Sequence, residues 1–64
     1  MKNLILVTPE VIPLITKKQL NLFKQNNLKV EQCSDIFAFL LDNSSKVAYI
    51  IDSPACLKSI KLDK

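Results

Sequence analysis

Three short apolar runs, "LILV" (Leu4 to Val7), "LKV" (Leu28 to Val30) and "VAYII" (Val47 to Ile51), punctuate a chain whose intervening stretches repeat apolar residues at helical spacing. That order is β-α-β-α-β-α. The first and third runs are continuously apolar, as parallel strands covered on both faces must be, whereas the middle one alternates and suits a sheet edge. Right-handed crossovers then dictate an α/β fold with a three-stranded parallel sheet in the order 2-1-3, the first helix on one sheet face and the second on the other. The chain has 64 residues, so residues 1–64 form one small domain. A chain of this length buries only about 60% of its unfolded surface. A second copy or another protein is a natural source of further burial.

Local signals support the helices. In "ITKKQL", Thr16 can cap, Gln19 can reach back to it, and Ile15 can staple against Leu20. Asn26-Asn27 supplies a left-handed stop in a chain with no glycine. The preceding "TPEVIPLI" holds Pro9 and Pro13 and reads as a loop or kinked turn, which leaves Val11, Ile12, Leu14 and Ile15 in need of cover. The second helix, "SDIFAFLLDN", begins at Ser34 or Asp35 and ends near Asn43. Its apolar residues wrap past half of the circumference. We expect Ile36, Phe37, Leu40 and Leu41 to face inward and Phe39 to lie at the margin. Ser53 and Pro54 open the third helix, with Cys56, Leu57 and Ile60 on one side.

Composition argues against most chemistry. There is no His or Arg, and all nine basic residues are Lys, scattered along the chain for a net charge of +3. Without His the commonest general base is missing, and without Arg or a lysine cluster a nucleic-acid groove is not expected. No Gly-rich phosphate loop and no nucleophile with an evident base are present, so we expect no catalytic residue, no metal ligand and no cofactor. The N-terminal apolar run breaks at Thr8-Pro9, too short for a signal or spanning segment, so the expected location is the cytoplasm, away from membranes. There Cys33 and Cys56 are expected to be reduced, small buried hydrophobes.

"LILV" followed by "QLNLFKQNNLKVEQCSDIFAFLLDNSSKVAYIID" resembles the first half of a response-regulator receiver domain, as a truncated, degenerate, flavodoxin-like half domain. The resemblance implies the same β-α-β-α-β order and puts Asp52 where that family carries its phosphoryl-accepting Asp beside a magnesium ion. It also departs from the family. The acidic pair expected after strand one is Val7-Thr8-Pro9-Glu10 here, with a single carboxylate, and the fourth and fifth strands lie outside the sequence. Asp52 is therefore expected to be a loop or helix-capping residue.

The third strand is the anomaly, since it has the composition of an interior strand yet falls at an edge of the 2-1-3 order. The expected function is a small non-catalytic protein–protein interaction module. Its interface would be the strand edge (Val47, Tyr49, Ile51) and the apolar helix margin (Phe39), and its partner either itself, as a homodimer, or another protein. The alternatives are a small regulator or inhibitor of mobile-element or viral origin, and a small basic protein associated with nucleic acid.

Overall fold

The computed structural model describes residues 2–60. Three parallel strands, β1 (Leu4–Val7), β2 (Lys29–Gln32) and β3 (Val47–Ile51), form a sheet in the order β2-β1-β3, as the connectivity requires. Between and after them lie α1 (Lys17–Gln25), α2 (Ile36–Asn43) and α3 (Pro54–Ser59), with single turns of 3-10 helix at Ile12–Leu14 and Ser44–Lys46.

The helix ends follow the sequence closely. Thr16 and Gln19 close a capping box at the start of α1: Gln19 N–H donates to Thr16 Oγ1 at 3.1 Å, and Thr16 N–H donates to Gln19 Oε1 at 3.0 Å. At its other end Asn27 takes φ 59°. There Leu28 N–H reaches back to the Phe23 carbonyl at 2.8 Å and Asn27 N–H to that of Lys24 at 3.0 Å. Those two bonds make a Schellman motif, with Asn in the place glycine usually takes. They also tie Leu28 to the helix, so β2 begins at Lys29 and runs on to Gln32, later than the apolar run at Leu28 to Val30 implies. Asp35 Oδ1 caps α2 by accepting from Ala38 N–H at 3.1 Å, and Ser53 Oγ caps α3 by accepting from Cys56 N–H at 3.3 Å.

Most of the core lies on one face of the sheet. Ile5, Val7, Val11, Phe23, Ile51 and Leu57 pack together there, with Cys56 and Ile60 against them, so α1 and α3 share this face. The turn after β1 places Val11 in the core at 1% exposure, leaving Leu14 at 49%. Each fully buried aliphatic side chain contributes about 1.5–3 kcal/mol of transfer free energy. Leu6, next to Ile5 along β1, points to the other face and is also fully buried. That face belongs to α2.

Here the rotation of α2 departs from the sequence reading. Ile36, Phe39, Leu40 and Asn43 are the half-buried positions, while Phe37 and Leu41 are 86% and 85% exposed. Phe39 therefore turns toward the sheet, and Phe37 and Leu41, expected inside, form an outward stripe one helical turn long. The reason is geometric. The apolar arc of α2 is wider than a three-stranded sheet can cover, so packing one side of it leaves the other in solvent.

Candidate interaction surface on strand β3 and helix α2

The register of β3 decides what it presents. Leu4 pairs with Val47, but Ile5 pairs with Tyr49, so the ladder skips Ala48 in a one-residue bulge. Beyond the bulge Leu6 pairs with Ile50 and Val7 with Ile51. Paired residues of parallel strands share a face, which puts Tyr49 and Ile51 on the side of α1 and α3, and Val47 and Ile50 on the side of α2.

Of the four residues expected at an interface, two turn inward. Ile51 is fully buried against Val7 and Leu57, and Val47 is buried at 8% exposure. Tyr49 is exposed at 37%, and Phe39 is half-buried. Simple alternation groups Val47, Tyr49 and Ile51, and the bulge breaks that grouping. The exposed apolar residues not expected from sequence are Ile50 at 39%, Phe37 and Leu41.

Phe37 and Ile50 border one shallow groove, about 440 Å3 in volume, between the start of α2 and the C-terminal end of β3. Its apolar lining is Ile36, Phe37, Leu40 and Ile50, and its polar lining is Thr8, Ser34, Asp35 and Asp52. The groove lies at the C-terminal ends of β1 and β3, where the chain switches from one side of the sheet to the other, the usual location of binding crevices in open α/β sheets.

Asp52 is exposed and accepts a hydrogen bond from the Cys56 thiol at 3.4 Å, while the cap of α3 falls to its neighbour Ser53. Cys33 donates its thiol proton to the Asp35 carbonyl at 3.3 Å, and both cysteines are free. Among the described residues no three of His, Cys, Asp and Glu gather where they could share a metal ion. No helix among them is long and apolar enough to cross a membrane.

Thr8 is the least satisfied polar group of the groove. Its N–H donates to the Ile51 carbonyl at 3.2 Å and its carbonyl accepts from Val11 and Ile12, but its hydroxyl oxygen is buried without a hydrogen-bond partner. A buried, unpaired hydroxyl costs roughly 1–3 kcal/mol. Thr8→Val keeps the shape and the main-chain bonds, so it is expected to stabilise the fold by about 1 kcal/mol and raise the thermal midpoint by roughly 4–8 °C. A thermal melt with an unchanged or lower midpoint would show that the hydroxyl is satisfied in solution.

Comparison with protein-family models, with curated proteins and with solved structures gives no match for this chain.

Proposed function

We propose that this chain is a small, non-catalytic, cytoplasmic protein–protein interaction module that docks through the outer edge of β3 and the outward stripe of α2. The observation that carries the reading is the contrast between the two edges of the sheet. The β2 edge is guarded in the usual way, by exposed Lys29, Glu31 and Gln32. The β3 edge exposes Tyr49 and Ile50 between Lys46 and Asp52, and α2 sets Phe37 beside Ile50, with Leu41 exposed one turn further along the helix. Apolar side chains next to unpaired strand N–H and C=O groups are what strand addition requires: main-chain bonds supply affinity, and side-chain pockets supply choice of partner.

A photo-crosslinking residue in place of Phe37, compared with the same residue in place of exposed Asn21 on α1, tests the surface in the cells that make the protein. The expected result is one defined polypeptide adduct from position 37, identified by mass spectrometry, and none from position 21. Equal labelling from both positions, or no adduct at 37, would sink the reading.

A further inference from the structure

We infer that the occupant of the groove is a basic, extended segment of another polypeptide, which lays an arginine side chain along Phe37 toward the carboxylates of Asp35 and Asp52. The inference rests on the docking reading above and adds the chemistry of the partner. Charge comes first. From Asp35 to Asp52 the sequence holds three Asp and one Lys, a net charge of −2, in a chain whose total is +3. Two of those three carboxylates line the groove, and no lysine among the described residues does.

Both carboxylates have capacity to spare. Asp35 Oδ1 caps α2 through Ala38 N–H at 3.1 Å, and Asp52 Oδ1 accepts from the Cys56 thiol at 3.4 Å. Oδ2 of each is left without a hydrogen bond or ion pair among the described residues. The N-terminal dipoles of α2 and α3 contribute about half a positive charge each, so the groove stays negative by about one charge. Thr8 lines it too, with its hydroxyl oxygen buried and unpaired. The groove therefore offers acceptors and lacks a cation.

Polarity and shape select the cation. The polar lining, Thr8, Ser34, Asp35 and Asp52, lies just past the C-terminal ends of the strands, and the apolar lining of Ile36, Phe37, Leu40 and Ile50 adjoins it. A side chain with an apolar stem and a charged head matches both. Arginine matches better than lysine, since its planar guanidinium carries five donors for two carboxylates and can lie flat on the exposed ring of Phe37. None of the 64 residues is arginine, so a second copy of the chain cannot supply it. The strand edge delivers the side chain. The Ile51 carbonyl is turned to Thr8 N–H, so in the regular part of β3 the N–H and C=O of Ile50 face outward. A residue paired with Ile50 across that edge shares its face of the sheet, and its side chain falls on the α2 side, at the groove.

A peptide titration followed by amide NMR of the isotope-labelled chain tests the occupant. The probe is Thr-Val-Thr-Arg-Thr-Val-Thr, acetylated and amidated, which as a strand puts its arginine and both valines on one face. It is expected to shift the amides of Ile36, Phe37, Ile50 and Asp52 and to leave those of α1 in place. The version with citrulline, which keeps the shape and loses the charge, should bind roughly tenfold more weakly, and the lysine version roughly threefold more weakly. Asp35→Asn, which preserves the cap of α2, and Asp52→Asn should each weaken the arginine peptide roughly two- to fivefold. Glu31→Gln removes the same charge from the exposed β2 edge and should change nothing.

A citrulline peptide that binds as tightly as the arginine peptide, or binding indifferent to both Asn variants, overturns the cationic occupant. A lysine peptide that binds as tightly overturns the choice of arginine. If the same amides shift with protein concentration alone, the groove is filled by a second copy and the other polypeptide is overturned. The position-37 adduct separates these failures from failure of the docking reading. An adduct together with a failed titration removes the basic segment and keeps the surface, and no adduct removes both.

Discussion

Ile51→Ala is expected to leave most of the chain unfolded at 25 °C, whereas Ile50→Ala, one residue away, should leave it folded. Ile51 is fully buried in the main core, between Val7 and Leu57, while Ile50 is 39% exposed on the opposite face. Truncating a buried isoleucine to alanine costs about 2–5 kcal/mol once the residual cavity is included. A core in a chain of this size rarely supplies more than about 3–5 kcal/mol in total, so this one substitution can consume the whole margin. Far-UV circular dichroism and a urea titration of both variants, at one fixed protein concentration, check the expectation. An Ile51→Ala midpoint equal to that of the wild type would mean that β3 is paired in another register.

The contrast between those neighbours also marks where the sequence stops being informative. Strand order, the crossovers and all three helix starts follow from local signals: apolar runs of strand length, Thr16 with Gln19, Asp35, and Ser53 before Pro54. These are short-range effects, and the residues that produce them sit within one turn of the feature they control. The rotation of α2 is different. Ile36 to Leu41 is apolar without interruption, so its pattern contains no phase, and which side faces the sheet is settled by packing. The bulge at Ala48 is equally silent, since no glycine or proline announces it, yet it puts Val47 and Tyr49 on opposite faces, where a regular ladder would keep them on one. Consequently an apolar strand at the β3 edge is legible from composition and topology. Which apolar residues are exposed there is not: Val47 and Ile51 turn inward, while Ile50, Phe37 and Leu41 are exposed.

Proline substitution separates the inner from the outer hydrogen bonds of β3 and has the second largest expected effect. At Ile50 the main-chain N–H faces out, because the Ile51 carbonyl is turned to Thr8 N–H and the strand is regular from Tyr49 to Ile51, and the position lies on a sheet edge, a strand setting that accepts proline. Ile50→Pro should therefore fold like the wild type. It nevertheless removes an outward donor and puts a ring where an added strand must lie. At about 3 kcal/mol or more for a proline forced into a ladder, association at this edge falls more than a hundredfold. Tyr49→Pro has the opposite outcome. Its N–H faces β1, the central strand, so the same penalty falls on folding and consumes most of the stability of so small a core. Circular dichroism distinguishes the two in the first step, and titration with the arginine peptide then measures the association of whichever variant folds. If Ile50→Pro unfolds while Tyr49→Pro does not, the orientation of the strand is inverted. If Ile50→Pro folds and associates as tightly as wild type, the outer edge of β3 takes no part in docking, and the apolar stripe of α2 alone is left to hold a partner.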